Sequence, residues 1–366
     1  MIERSALRVA IVHDWLNQIG GAEYVLEVLH RMFPEAPIFT SLYDPVKMPG
    51  HYRQWDIRTS FLQKLPMMGS LSRAVLPLYP LAFEKLDLSG FDLVISNSSG
   101  LCHGVITSHD TCHVNYCLTP PRFVWNASHY IHRERVNPLA RTVLPLVINY
   151  LRMWDIAAVN QVDHFIGISK AVVARIKKIY RREAALIYPP VDTKRFAIAD
   201  EIGDYFLVVG RMVPYRRVDI VVKACSELGL PLLVVGSGRD KASLEAMAGK
   251  TVKFAGRVDD AAIPDLFARC RAFIFPGEED FGIAPIEAMA AGRPVIAFAA
   301  GGSLETVVDG VTGTFFHQQS PEALAAVLSR FDHRQFDPPV IREHALSYDT
   351  DAFVESFHGF LAEKLS

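Results

Sequence analysis

The chain alternates short apolar runs with longer stretches whose apolar residues recur at helical spacing. Val9–His13 reads as a first strand, and a glycine pair then precedes a helical period over Ala22–Met32. Further strands are predicted at Ile38–Thr40, Phe91–Asn97, Gly104–Thr107, His113–Leu118 and His164–Ser169, each rich in β-branched or aromatic residues and bounded by polar residues or glycine. The second half repeats the alternation more cleanly. Strands are expected at Tyr205–Gly210, Leu232–Gly236, Val252–Ala255, Ala272–Pro276, Val295–Phe298 and Thr314–Phe316. Helices are expected at Val218–Leu228, Lys241–Ala248, Ile263–Cys270, Pro285–Ala291, Leu304–Val308, Pro321–Phe331 and Ala352–Leu361. Continuous apolar strands separated by helices predict parallel sheets covered on both faces. The proline-broken segment Tyr188–Phe196 marks a boundary. The predicted fold is therefore α/β, with two Rossmann-like domains facing a central cleft. They are expected to span 1–190 and 191–348, with a helix in 349–366 packing back toward the N-terminal domain. A length of 366 residues suits two domains.

Composition narrows the class. Half the residues are hydrophobic and 21% are charged, which excludes intrinsic disorder. A net charge of −2 excludes a general nucleic-acid binder. The charge is uneven, however: residues 1–190 carry 20 basic and 15 acidic side chains, and 133–182 alone carry 10 basic and 3 acidic. Five irregularly spaced cysteines fit a reducing compartment. Cys112 and Cys117 lie near His103, His109 and His113, so a zinc site stands beside the reading of a half-buried strand with apolar thiols. The start of the chain has no signal-peptide pattern, and no run approaches the ~18 apolar residues of a membrane span. The expected location is the cytoplasm, with the protein soluble or peripheral on the inner face of the cytoplasmic membrane.

Ligands of open parallel sheets sit beyond the carboxyl ends of the strands, so the loops there carry the candidate chemistry. Gly20-Gly21 opens a helix and lets a phosphate or sugar approach the backbone. Gly210-Arg-Met-Val-Pro-Tyr-Arg-Arg217 puts Arg211 and Arg216 directly after a buried strand, where guanidinium groups suit a diphosphate. Gly236-Ser-Gly238 is an incomplete dinucleotide fingerprint and reads as a tight turn. Pro276-Gly-Glu-Glu-Asp-Phe-Gly-Ile-Ala-Pro-Ile-Glu287 is the most specific segment. Its loop carries Glu279, and Pro285 begins the helix that carries Glu287. The two carboxylates can grip hydroxyls in different parts of a ligand, and the N–H groups of Gly282 and Ile283 can receive an oxyanion.

This segment, with Gly210-Arg211 and Gly20-Gly21, resembles glycosyltransferase family 4, the retaining, nucleotide-sugar-dependent enzymes of the GT-B fold. Glu279 and Glu287 match that family's pair of glutamates separated by seven residues. Val12-His-Asp-Trp-Leu16, Ser60-Phe-Leu62, Leu86–Ser96 and Phe275–Gly282 resemble its bacterial mannosyltransferase-like branch, which builds O-antigen and exopolysaccharide, commonly from GDP-mannose. The resemblance implies that Arg211 and Arg216 neutralise the diphosphate. It implies that Glu279 binds donor-sugar hydroxyls and Glu287 the ribose. Phe281, Gly282 and Ile283 would line the sugar and phosphate, and Gly256-Arg257-Val258 would lie near the base. Gly20 and Gly21 would complete the phosphate loop. The family more often has lysine where Arg216 stands. It usually has histidine where Leu118 stands in Tyr116–Trp125 and an acid where Asn126 stands; leucine donates no hydrogen bond, so His113 would have to substitute, or turnover would be slow or absent.

The expected reaction is front-face substitution, with arginines stabilising the departing nucleotide and no metal or cofactor required. Asp349-Thr-Asp351, the single Asp-x-Asp string considered for a metal, reads as a helix cap. Domain closure about Pro189-Pro190 would exclude water. The donor expected is a nucleotide sugar, GDP-mannose, and the acceptor a lipid-linked or polysaccharide glycan. The basic, apolar stretches Phe61–Phe83 and Arg133–Arg152 would meet an anionic membrane, although Val143–Leu151 also reads as a core helix. Three rival readings stand beside this one: a silent nucleotide-sugar-binding protein, a GT-B epimerase and a dinucleotide-dependent oxidoreductase. The last lacks a complete glycine fingerprint.

Overall fold

The structure, a computed structural model, describes residues 7–65, 75–126 and 138–366, with backbone alone over 138–142. The chain divides into two units, 1–187 with 356–366, and 188–355. Each has its own sheet, in which every paired strand runs parallel to its neighbours.

The first unit contains β1 (Val9–His13), β2 (Ile38–Thr40), β3 (Ile57–Thr59), β4 (Leu93–Ser98), β5 (Cys112–Cys117), β6 (His164–Gly167) and β7 (Ala184–Leu186), in the order β3-β2-β1-β4-β5-β6-β7. Its longer helices are α1 (Gly21–Met32), α2 (Pro138–Ala158) and α3 (Lys170–Tyr180). Every residue of β1 and β4 is buried, and the two pair from Val9↔Leu93 to His13↔Asn97. Their polar carboxyl ends therefore emerge side by side.

Several elements depart from expectation for local reasons. Gly104–Thr107 is not a strand: Cys102–Gly104 forms a 3-10 turn, and β4 already has β1 and β5 on its two sides. β3 and β7 are three-residue strands at the sheet edges, half-exposed and absent from the expected set; β7 lies in the apolar run Ala184–Tyr188, just ahead of the prolines. The α3 helix had a readable start, since Ser169 Oγ accepts from Val172 N and Val172, Ile176 and Tyr180 are buried at helical spacing.

The second unit contains β8 (Phe206–Val209), β9 (Leu232–Val235), β10 (Val252–Gly256), β11 (Ala272–Phe275), β12 (Val295–Phe298) and β13 (Gly313–Phe316), in the order β10-β9-β8-β11-β12-β13. Its longer helices are α4 (Val218–Leu228), α5 (Ile283–Ala290), α6 (Pro321–Leu328) and α7 (Pro338–Leu346). The two prolines that open α7 mask it in the sequence, but the first turn tolerates them. Phe206, Val208, Ile220, Val221, Leu232, Ile274, Ile296, Phe316 and Leu324 form one buried cluster between sheet and helices.

The last helix, α8 (Thr350–Lys364), begins in the second unit and ends in the first. Asp349 Oδ1 accepts from Asp351 N at 3.0 Å, so the Asp-x-Asp string does cap a helix. Val191 bridges Asp349, and Thr350 N donates to Val191 O at 3.1 Å. Within the first unit, the fully buried Phe357 lies 6.2 Å from the Tyr116 ring, and Phe360 lies 6.2 Å from His164.

Cys112 and Cys117 are five residues apart on β5 and so point to opposite faces. All five cysteines are free, and among the described residues no group of three or more His, Cys, Asp or Glu side chains is arranged to hold a metal ion.

Candidate functional site

In the second sheet the strand order reverses between β8 and β11, the place where an open parallel sheet presents its crevice. The loop after β8 supplies Gly210, Arg211 and Arg216, and the loop after β11 supplies Pro276, Gly277 and Glu279. These residues line one depression. Arg211 is exposed, and its Nη2 donates to Tyr215 Oη at 3.1 Å. Arg216 ends a 3-10 turn begun by Pro214, and its Nε lies 3.0 Å from Glu279 Oε1. These two atoms make no well-directed hydrogen bond, but Arg216 Nη2 donates to Glu279 Oε2 at 3.4 Å, so the guanidinium meets both carboxylate oxygens. The next cation is committed elsewhere. Arg217 forks onto Asp219 at 3.1 Å and reaches Gln319, whose amide in turn holds Pro276 O at 2.9 Å.

The loop carrying Glu279 is braced from behind by Gly301-Gly302, the pair that follows β12. Gly302 N donates to Glu279 O at 2.8 Å. Gly301 has φ +60°, and a Cβ there would lie 2.3 Å from Glu279 O, so only glycine fits. Gly236 does similar work under the other loop, since at φ +128° a Cβ would lie 2.0 Å from Gly210 O. Gly236-Ser-Gly238 is thus a close-packing turn, as its incomplete fingerprint indicated. The bracing role of Gly301-Gly302 was missed in the sequence, although a glycine pair at a strand end was a visible signal.

Glu287 does not line the depression. It sits on α5, half-buried by surface, with its carboxyl enclosed by protein. Burial pushes that carboxyl up from 4.5 to about 7; Arg195 opposes the shift, and Asp260 and Asp192 add to it. Arg195 holds Asp260 at 2.8 Å. Because the folded value exceeds the unfolded one, the neutral carboxyl favours folding below pH 4.5, and that advantage drains away as pH rises to about 7. Glu287→Gln should therefore stabilise the ligand-free protein at pH 8 by up to about 3 kcal/mol and have little effect at pH 4. Denaturant unfolding at the two pH values measures this; equal effects at both would remove the buried-carboxyl assignment.

Other expected residues are more scattered. Gly256, Arg257 and Val258 follow β10 at the sheet edge, where Gly256 O accepts from Gly236 N at 2.7 Å and Arg257 is exposed. Gly282 caps α5 and Ile283 is its first residue, half-buried. Phe281 requires a correction. Its ring is 3% exposed and packs 5.7 Å from both Tyr188 and Tyr348, so it is a core side chain, not a sugar-lining one.

In the first sheet the order reverses between β1 and β4. Gly20 and Gly21 lie exposed at the start of α1. Beneath them is a buried group that the sequence does not announce. Asn97 Nδ2 donates to Ala22 O at 2.8 Å and faces His13 Nδ1 at 3.3 Å. That assigns the His13 proton to Nε2, which lies 3.5 Å from Glu23 Oε1. A Cβ on Gly20 would lie 3.3 Å from Glu23 Oε2, so a carboxylate underlies the turn. Asp14, the next residue, serves the neighbouring loop. Its carboxylate accepts from Ser99 N and Gly100 N at 2.7 Å and from Cys102 N at 3.0 Å, fixing the chain after β4. His13, Glu23 and Asn97 come from three segments, and only the polar end of β1 hinted at them.

His113 cannot stand in for the missing histidine at position 118. Its ring is buried, with Nε2 2.7 Å from Ser96 Oγ and Nδ1 2.8 Å from Gln161 O, and burial lowers its pKa to about 4. Leu118 is half-buried, its N–H bonded to Ser98 O, and Asn126 is exposed.

The family described as glycosyl transferases group 1 matches residues 192–345. An uncharacterized glycosyltransferase of Methanocaldococcus jannaschii is 28% identical over 174 residues, covering 46% of this chain and 49% of that protein. A GDP-mannose-dependent α-(1-6)-phosphatidylinositol monomannoside mannosyltransferase of Mycolicibacterium smegmatis is 29% identical over 201 residues, covering 46% and 53%. The chain thus spans about half the length of these curated relatives. Among solved structures, Anabaena HepE in complex with UDP superimposes with a TM-score of 0.72 at 16% identity, covering 98% of this chain and 100% of that one. The fold is GT-B, with two Rossmann-like parallel-sheet units, and residues 192–345 match the glycosyl transferases group 1 family.

Proposed function

We propose that the protein is a retaining, metal-independent glycosyltransferase that moves a hexose from a nucleoside-diphosphate sugar to a lipid-linked or polysaccharide acceptor in cell-surface glycan synthesis. The observation that carries this reading is the convergence of Arg211, Arg216 and Glu279 on one depression at the switch point of the second sheet. Cleaving a sugar–phosphate bond builds negative charge on the departing diphosphate. Fixed guanidinium groups stabilise that charge more in the transition state than in the ground state. Glu279 orients Arg216 through both of its oxygens, and the remaining lone pairs of the carboxylate would accept from sugar hydroxyls. The acceptor hydroxyl attacks the anomeric carbon from the face that the diphosphate leaves, and its proton passes to the leaving phosphate oxygen. Glu287, on α5, would bind the ribose. Gly20 and Gly21 would admit a hydroxylated ring to the start of α1, because the Glu23 carboxylate beneath them suits hydroxyl donors better than phosphate.

GDP-mannose is the first donor to test, since the mycobacterial relative is described as GDP-mannose-dependent; the UDP bound to HepE makes UDP-glucose the second. Calorimetry and turnover should find one such donor that binds and is consumed when acceptor is present. Failure of every nucleoside-diphosphate sugar to bind would end the proposal. Binding without turnover would favour the second reading, a silent nucleotide-sugar-binding protein, which rests on Leu118 and on the fully engaged His113.

The acceptor reading has its own support. Val143, Leu146, Tyr150, Met153 and Ile156 are exposed at steps of three or four residues along α2. The surrounding sequence is basic, and such a face suits an anionic bilayer surface. No helix among the described residues is long and apolar enough to cross a membrane. Of the other expected membrane residues, Met67, Met68, Leu71, Arg73, Arg133 and Arg135 lie outside the described residues. The protein should float with anionic liposomes at low salt, and Leu146→Glu with Met153→Glu should abolish flotation. Recovery of wild-type protein only in the pellet would refute attachment.

A further inference from the structure

At the opposite, amino-terminal edge of the second sheet lies a group of cations with no part in the chemistry above. Arg271 immediately precedes β11, and Arg293 stands two residues before β12. Phe273 pairs with Val295, and Phe273 N donates to Pro294 O at 3.0 Å, so the two arginines leave neighbouring parallel strands at the same level. His333 lies in the loop beyond α6, the helix that returns the chain to this edge. Phe331 of that loop packs 6.1 Å from Phe206, the first residue of β8.

These side chains are placed at a cost. Arg293 is 2% exposed and ranks among the largest fully buried side chains. Its Nε has no hydrogen-bond partner, and the same holds for the buried Arg271 Nε and His333 Nδ1. Arg271 meets Asp204 only through Nη1, at 3.3 Å, and its guanidinium stacks 5.1 Å from the centre of the Phe206 ring. The ionisable group that bears on Arg293 is the Cys270 thiol, which burial holds protonated, so it supplies no counter-charge. Asp332 is engaged by Arg334 at 2.9 Å. Burial, followed by Arg271, Arg293 and Arg334, pushes the His333 pKa down, with Asp332 opposing the shift. A buried guanidinium without an anion or water is strongly unfavourable. Three partnerless nitrogens from three segments suit one compact acceptor carrying several oxygens.

We propose that Arg271, Arg293 and His333 form a binding site for a small free oxyanion of the inorganic phosphate class, at the far edge of the sheet from the nucleotide pocket. Arg293 is 2% exposed, which restricts access by a phosphoryl group carried on a larger molecule.

The test uses the full chain and follows the thermal midpoint in inorganic phosphate against chloride at matched ionic strength. Wild-type protein should show a saturable rise of about 5 °C. The double variant Arg211→Ala/Arg216→Ala, which empties the nucleotide pocket of cations, should keep that rise. Arg293→Met should lose it and should melt higher than wild type in chloride, because an uncompensated buried charge has gone. Should Arg293→Met fail to fold, Arg271→Met and His333→Phe serve instead, each requiring at least 10-fold more phosphate for half the rise. The proposal is overturned if phosphate does no more than chloride, if the rise vanishes in the Arg211→Ala/Arg216→Ala variant, or if it persists unchanged in all three edge variants. An equal rise with glucose 6-phosphate in the double variant would also overturn it, by showing a site open to organic phosphates.

Discussion

Arg216→Met is expected to lower the rate of sugar transfer by about 10²–10³-fold while the second unit stays folded. Arg216 is the cation that the structure fixes in position, since Glu279 holds its side chain and Gly277 packs against its backbone so closely that a Cβ on Gly277 would lie 3.1 Å from Arg216 Cα. Methionine keeps the length and removes the charge that opposes the departing diphosphate. The bereaved Glu279 side chain is only 18% exposed and its Oε1 is buried, so the variant should also lose about 1–3 kcal/mol of unfolding free energy. Arg216→Lys should recover most of the rate, because a point charge meets the same demand without the fork. Steady-state transfer with the identified donor, beside circular dichroism, reads both quantities. A methionine variant within threefold of wild type would show that the leaving group is stabilised elsewhere.

Gly301→Ala should damage both stability and catalysis, because the glycine braces the loop that carries Glu279. It puts a side chain on a left-handed residue and drives the methyl into Glu279 O, so the 2.8 Å bond from Gly302 must break or the loop must move. The expected loss is about 3 kcal/mol in unfolding free energy. It should come with a fall of about 10²-fold in kcat/KM, because displacing Glu279 misplaces Arg216 with it. Unfolding and kinetics on the same preparation separate the two effects. Wild-type kinetics in a destabilised variant would show that the loop position does not matter to the reaction.

The parts legible in the sequence are those whose signal is local. β8 and β11 are unbroken apolar runs, and Arg211, Arg216 and Glu279 follow them within a few residues, so strand and chemistry are read together. The seven-residue interval to Glu287 is likewise contained in one loop and helix. Gly301 stands far along the chain from the loop it braces, and nothing near it in sequence says which backbone it will meet. The His13–Glu23–Asn97 group is assembled by parallel pairing of β1 with β4, a long-range event. Phe281 misled for a related reason: an aromatic residue in a ligand loop looks like a binding surface until Tyr188 and Tyr348 arrive to cover it. Gly104–Thr107 had the residues of a strand, but the sheet had no vacancy beside β4.

The second unit is inserted into the first. The chain passes from one to the other through the turn at Tyr188-Pro-Pro and returns within α8, whose residues from Ser356 onward belong with the first sheet. Two covalent connections therefore join the units, one through Tyr188-Pro-Pro and one inside a continuous helix. The same threading complicates dissection of the protein. A fragment ending at Ile187 would lack Phe357 and leave the Tyr116 face bare, so expressing the first unit alone calls for residues 356–366 to be grafted back or supplied in trans.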